Sequence, residues 1–383
     1  MESSQCFFEY ESITDSKLIE AVKTNKSLQQ YFSSSFDGIR ATQYCGIINI
    51  ESNDYCILPK IATDTKHNLN TFIYMLMYAY DIKVKNEDLS DSANQRHRLL
   101  QVLINIFTKK LLQQLQIGLY REYITFQDNL TRLRGKYLIN ENLKYNITHQ
   151  KIYCEYDEFS MNNPLNQFFL YAVKYLLPYA DNKKELRLIE AIFDETAYKH
   201  FDLHRSSLLA FNRLNIRYQE SFDIGILLLK HLIPLFAKGR QSFAFLFDMN
   251  ELFEIFIGKI IQSIEPQTQL QVERNFGNLK LKPDIIIPNM IIDTKYKRVR
   301  DRQDISAADK YQMFAYGKNF GMYKTLLLYP KHLEDVDEDL VLGKGDEAVE
   351  LKMRSINLDC DGRYEEFLNV VNKRIERMIN AQR

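Results

Sequence analysis

The chain is 383 residues long, 45% hydrophobic and 26% charged, with only 13 Gly and 8 Pro, a composition that excludes a disordered or fibrous polypeptide and leaves room for two domains. Its 50 Lys and Arg balance its 50 Asp and Glu, so any contact with nucleic acid must come from a local basic patch and not from overall charge. Five cysteines, at 6, 45, 56, 154 and 360, form no CxxC pair, which excludes a disulfide framework or a cysteine zinc site and suits a reducing cytoplasm.

The opening MESSQCFFEYES carries acids and no basic region ahead of an apolar stretch, so it does not read as a signal peptide. Ile47 to Ile50 and Tyr55 to Leu58 are apolar runs separated by Ser52, Asn53 and Asp54, the pattern of a hairpin. Helical spacing follows from Leu69 to Lys83 and from Leu99 to Leu115, on either side of a polar loop at Asn86 to Gln95. Strands are expected at Tyr137 to Leu143 and Ile147 to Cys154, then a turn and a domain boundary near residue 160. The second half opens with helices over Leu165 to Leu177, Glu185 to Phe193, Ser206 to Asn212 and Phe222 to Phe236. The last of these is the most apolar segment, but Lys230, His231 and Pro234 interrupt it, and it falls short of the roughly 20 residues that a membrane span needs.

After Phe247 the pattern changes. A capped helix over Asn250 to Ser263 precedes strands at Leu270 to Arg274, Lys282 to Ile287 and Met290 to Lys295. A helix at Ala307 to Asn319, a strand at Lys324 to Tyr329, an acidic loop at Glu334 to Asp339 and a final helix at Tyr364 to Asn380 complete the chain. This is an α/β (α+β) pattern. It predicts an N-terminal mixed domain over 1–160 and a C-terminal domain over 161–383.

The chemistry concentrates in LKPDIIIPNMIIDTKYKRVR, Leu281 to Arg300. Asp284 follows Pro283; the chain turns at Pro288 and Asn289 and returns as a strand bearing Asp293, with Lys295 two residues on. A strand period of two puts Asp293 and Lys295 on one face, and the hairpin sets Asp284 beside them. Paired carboxylates suit a hard divalent cation such as Mg²⁺, and a lysine beside them suits phosphodiester hydrolysis. The main-chain carbonyl of Thr294, between them, is a candidate further ligand. Glu254 in the preceding helix is a candidate for the metal's water shell. Gln312 and Tyr316, four apart, share a face of the next helix. Each has a plainer reading, strand-edge charge for the first set and helix packing for the second.

These segments resemble the PD-(D/E)xK nuclease domain, and the chain as a whole resembles the McrC family, the nuclease subunits of McrBC-type restriction systems. The likeness rests on FLFDMNELFEIFI, KPDIIIPNMIIDTKYK and DKYQMFAYG in the second half, and on YCGIINIESNDYCILPKI, LRGKY and CEYDEFSMNNPLNQ in the first. It implies a Mg²⁺-dependent endonuclease acting on double-stranded DNA, with Asp284, Asp293 and Lys295 at the reaction and a C-terminal restriction-endonuclease-like domain. It also implies an N-terminal domain that docks on an McrB-like AAA+ GTPase hexamer and stimulates it. GTP would bind that partner and not this chain, which has no GxxxxGK[ST] loop; Gly343-Lys344-Gly345 lacks the spacing. The hairpin over Gly46 to Ile61 and the basic Arg132, Arg134 and Lys136 are candidates for the partner interface.

Lys295, Lys297, Arg298, Arg300 and Arg302 form a basic run where phosphate contacts would be useful; a solvated charge run is the plainer reading. His200 and His204 have i,i+4 spacing without an HExxH glutamate, and we read them as structural. The expectation is a cytoplasmic, membrane-free restriction subunit. Its rivals are a non-cleaving activator of an AAA+ NTPase and a stand-alone repair-type nuclease.

Overall fold

The computed structural model describes all residues except 1–3, 52, 63–64, 83–98, 148–149, 204–208, 236–241, 300, 302, 332–334, 361 and 383. The polar loop at 86–95, Arg300, Arg302, His204, Phe236 and Glu334 thus lie outside the described residues. The contacts gather into two units, one built from 1–99 together with 231–383, the other from 100–230. The division expected at residue 160 is not where the chain divides. Its physical reason is a strand pairing that skips the middle of the sequence: Ser242–Asp248 lies antiparallel to Tyr44–Ile50, with Phe245 opposite Ile47.

That pairing closes a five-stranded sheet ordered Ser4–Phe8, Asn53–Leu58, Tyr44–Ile50, Ser242–Asp248, Leu232–Leu235. The hairpin expected around residue 52 is present, with Glu51 at a φ of 52° in its turn. Cys45, Ile47, Ile48, Ile50 and Tyr55 to Leu58 are all buried, the near-continuous apolar pattern of strands covered on both faces. The hairpin is therefore core, which removes it as a docking surface. Gly46 shows how tightly the two halves meet: a Cβ there would lie 2.0 Å from the Phe245 carbonyl oxygen, so any side chain would part the strands.

The second sheet of this unit runs Gln269–Leu270, Ile285–Ile287, Met290–Thr294, Lys324–Pro330, Val349–Ile356, Asp337–Leu342. Met290–Thr294 is parallel to Lys324–Pro330 through the helix Ala307–Phe320. That helix starts at Ser306, whose side chain accepts from the Asp309 amide, and stops at Gly321 in the left-handed conformation, as capping chemistry dictates. Ile286, Ile291, Met313, Leu327, Leu351 and Met353 form the core between helix and sheet. The helix Met249–Ile264 is capped by Asp248 and buries Leu252, Phe253, Phe256, Ile257, Ile260 and Ile261, a wide apolar stripe that leaves Glu254 half-buried.

Where an acidic loop is expected, the chain forms the strand Asp337–Leu342, paired to Val349–Ile356. Arg354 reaches Asp337 at 3.0 Å and Asp339 at 2.7 Å, so the acids are cross-strand partners on a charged edge.

The other unit is an aromatic-centred helical body with a β-ribbon. Its helices include Pro164–Leu176, Lys184–Ile192 and Gln219–His231, and Phe107, Phe168, Phe169, Phe193 and Tyr218 are fully buried. The helix expected to continue to Phe236 ends at His231, and Leu232–Leu235 joins the first sheet as its outer strand, where Pro234 leaves no ladder donor missing. Residues 209–212 are not helical, and the rest of the helix expected over 206–212 lies outside the described residues. Tyr137 to Leu143 is not a strand beyond Lys136–Tyr137; it turns into the helix Ile139–Tyr145. Asn142 decides this by donating to the Leu138 and Tyr153 carbonyls and accepting from the Tyr153 amide, contacts that local propensity does not contain. The ribbon pairs Ile152–Ser160 with Glu122–Leu130, an unforeseen strand, and with Lys136–Tyr137.

Candidate active site

A two-residue turn builds the site. Ile287 pairs with Met290 across Pro288 and Asn289, proline supplying its fixed φ and Asn289 the left-handed conformation at 71°, as a type II turn requires. The register that sets Ile285 opposite Ile292 then carries Asp284 to Asp293. The Asp284 Oδ2 accepts from the Thr294 amide at 2.8 Å and from its hydroxyl at 2.9 Å; its Oδ1 has Gln271 Nε2 at 3.4 Å. Beyond the strand, the Lys295 amide donates to the Leu328 carbonyl at 3.0 Å, holding the lysine in line with the ladder.

Asp293 is fully buried. Its Oδ2 lies 2.6 Å from Lys295 Nζ but has no directional hydrogen bond, and Oδ1 has Gln312 Nε2 at 3.4 Å. Gln312 also donates to the Tyr316 hydroxyl at 2.8 Å, and that hydroxyl donates to the Lys282 carbonyl at 3.0 Å. The shared helix face is thus turned to the site, and Tyr316 locks the entry to the hairpin.

The electrostatics are those of a pocket short of positive charge. Burial, then the neighbouring Asp284 charge, pushes Asp293 up to about 7 in spite of Lys295. Burial, then Asp284 and Asp293, pushes Glu254 up to about 7 as well. Burial works against the Lys295 ammonium, but Asp293 outweighs it and the lysine is held above its ordinary value. Oxygen donors and a charge deficit fit a hard divalent cation. Among the described residues no three or more His, Cys, Asp or Glu side chains gather as a metal cage. A cation here would therefore take Asp284, Asp293 and a main-chain oxygen such as that of Thr294, with water completing its shell, as Mg²⁺ commonly does. Glu254 feels both aspartates without joining them as a ligand.

Two residues escape the sequence reading. Thr294, read for its carbonyl, fixes Asp284 through its amide and hydroxyl. Asp309 is paired with Lys297, which ties up one of the cations expected to face DNA. Asp309 is held below the ordinary carboxylate range: burial opposes this, but Lys297 and the Ser306 hydroxyl outweigh it. Its place one turn before Gln312 on the same helix is the signal that could have found it. Arg298 is exposed. His200 rests edge-on against Tyr171 at 5.2 Å, in keeping with a structural role. No helix among the described residues is long and apolar enough to cross a membrane.

Comparison with known proteins adds the family. The profile described as McrBC 5-methylcytosine restriction system component matches residues 39–330. The fold is similar to a chain in an assembly of Thermococcus gammatolerans McrB AAA+ hexamers with bound McrC, at 22% identity and a TM-score of 0.61, covering 98% of this chain and 100% of that one. A chain of the Thermococcus gammatolerans McrBC complex matches at 26% identity and a TM-score of 0.49, over 68% of this chain and 87% of that one. No curated protein matches the chain.

Proposed function

The chain belongs to the McrBC family of restriction-system components, and from that membership we propose that it is the DNA-cutting subunit, a Mg²⁺-dependent PD-(D/E)xK endonuclease for double-stranded DNA. The observation that carries the reading is the convergence of Asp284, Asp293 and Lys295, with Asp293 fully buried and its Oδ2 held by charge alone. A merely structural ion pair would not need a second carboxylate beside it, since like charges at one buried site oppose each other.

Bound between Asp284, Asp293 and the Thr294 carbonyl, Mg²⁺ supplies Lewis-acid polarisation of the scissile phosphate. The chain's own groups do the rest. Thr294 fixes Asp284, and Gln312 steadies Asp293. Lys295 Nζ, drawn from Asp293 Oδ2 toward substrate, places its charge where negative charge grows on the phosphate. Glu254, near neutrality, exchanges a proton with water at the site. Arg298 and, when released from Asp309, Lys297 contact the backbone.

The second half of the proposal is docking on an McrB-like AAA+ GTPase hexamer in the cytoplasm, with GTP on the partner. The ribbon over residues 122–160 is the surface that supports it. Tyr123, Phe126, Leu133, Tyr137 and Phe159 are exposed there. Arg134 stacks 4.1 Å over Tyr156, and Lys136 is largely exposed beside Glu155. Exposed aromatics and arginine are the groups that anchor protein interfaces.

The test is cleavage of long duplex DNA with Mg²⁺, with and without an McrB-like partner and GTP. Asp293→Ala and Lys295→Ala should each lower cutting on the order of 100-fold or more while leaving stimulation of the partner's GTPase intact. Stimulation without any cutting by the wild-type chain would make it an adaptor; cutting that needs neither partner nor GTP would make it a stand-alone nuclease.

A further inference from the structure

A second site lies beside the first. The segment that leaves Lys295 forms one wall of a cavity of about 320 Å³, whose lining includes Phe8, Glu9, Tyr10, Lys60, Tyr296 and Arg298. That volume is at the small end of the roughly 300–1,000 Å³ typical of ligand pockets. Glu9 is only 4% exposed. Its Oε1 accepts from the Tyr296 hydroxyl at 2.6 Å and from the Lys60 amide at 2.8 Å, but its buried Oε2 accepts from nothing. An unsatisfied buried carboxylate oxygen calls for a donor. Next to it Tyr10 holds a left-handed backbone, φ 59°, a conformation costly for a large residue, and its ring is left 53% exposed. Phe8 is partly covered by Lys60, whose Nζ is 5.9 Å from the ring centroid.

The combination selects one ligand chemistry. A single acceptor oxygen wants an N–H, the aromatic rings want a flat face, and the cations want an anion attached to it. A cationic amine would satisfy Glu9 but face Lys60 and Arg298; an aminated nucleobase carrying a phosphate satisfies all three. We propose that this cavity receives one DNA base turned out of the stack, a base bearing an exocyclic amino group. Glu9 Oε2 accepts from the amino group, Phe8 and Tyr10 pack on the ring, and Lys60 and Arg298 meet the phosphate. The proposal rests on the reading of the chain as a DNA-acting protein, and it places a base-selecting pocket within three residues of Lys295.

The test is calorimetric titration of the full chain with dCMP, dAMP, dGMP, dTMP and deoxyribose 5-phosphate. It is run at pH 8, above the value of about 7 to which burial raises Glu9, so that Oε2 is an acceptor. The three amino-bearing nucleotides should bind on the order of tenfold more tightly than dTMP, the worth of one hydrogen bond to a charged group. Glu9→Gln keeps an oxygen for Tyr296 and Lys60 and turns an NH₂ toward the ligand, so the order should reverse in favour of dTMP. Tyr10→Ala should weaken all four nucleotides alike and leave their order unchanged. A duplex with one bulged cytosine should displace dCMP better than one with a bulged thymine. Equal affinity for dCMP and dTMP, an order unmoved by Glu9→Gln, or dCMP binding that the bulged duplex fails to displace would overturn the assignment; the last would mark a free-nucleotide site. Cleavage is not the readout. A chain that selects bases without cutting DNA would sink the nuclease reading alone, and one that cuts but binds dCMP and dTMP equally would sink the pocket alone.

Discussion

At Asp293 the sign of a pH effect follows from burial. Its folded-state value, raised to about 7 by burial and then Asp284, exceeds the ordinary carboxylate value, so the unfolded chain ionises first as pH rises. The contribution to stability is fully present below about 4 and is lost as pH climbs through about 7. Asp293→Asn does not titrate, so its melting temperature relative to wild type should rise from pH 4 to pH 8. Mg²⁺ should stabilise the wild type more at pH 8 than at pH 5, since a cation must displace the proton. Scanning calorimetry at several pH values checks both, and a pH-independent difference between the two proteins would remove Asp293 as the titrating group. Tyr316 gives a second test at this scale. Tyr316→Phe deletes the donor to Lys282 and the acceptor for Gln312; it should cost about 1–2 kcal/mol and slow cleavage roughly tenfold or more by loosening Gln312 against Asp293. Unchanged single-turnover rates would show that the helix face only packs. Asp284, Asp293 and Lys295 are legible in sequence because strand periodicity and a proline turn are local facts. The hydroxyl of Thr294 and the Lys297–Asp309 pair are not, because each depends on which element lies opposite.

Among the elements, the helix Ala307–Phe320 governs the site, since Asp309, Gln312 and Tyr316 all hang from it. It sits close to the sheet because of Gly317, where a Cβ would meet the two methyls of Val349 at 2.7 and 2.8 Å. Gly317→Ala should therefore destabilise by about 1–3 kcal/mol through overpacking, and adding Val349→Ala should recover part of that loss. Additive losses in chemical denaturation would refute the contact. The helix itself is readable from its serine cap and glycine stop. The misread elements are those where distant partners overrule local pattern: Asn142 folds Ile139–Tyr145 into a helix through Tyr153, and Arg354 turns an acidic run into a paired strand. In Gln219–His231 the apolar run continues past the helix end, and only the open edge of the first sheet tells Leu232–Leu235 to extend.

For the whole molecule the decisive pairing is Tyr44–Ile50 with Ser242–Asp248. Hydrophobic runs announced both strands, but no feature of either says that they meet, and the boundary expected at residue 160 cuts between them. A fragment of residues 161–383 should consequently show no cooperative thermal transition, because its first sheet retains two strands of five; a sharp melt with dispersed amide resonances would contradict this. The same pairing sets an order of events during synthesis. Ser4–Phe8, Tyr44–Ile50 and Asn53–Leu58 leave the ribosome early and wait for a strand nearly two hundred residues later, on the order of 10–40 s at typical rates of translation. Asp284, Asp293 and Lys295 emerge later still. A nascent chain therefore carries no assembled cutting site until well over two thirds of it has been made, so the cell's own DNA is not exposed to an unpartnered, half-made nuclease.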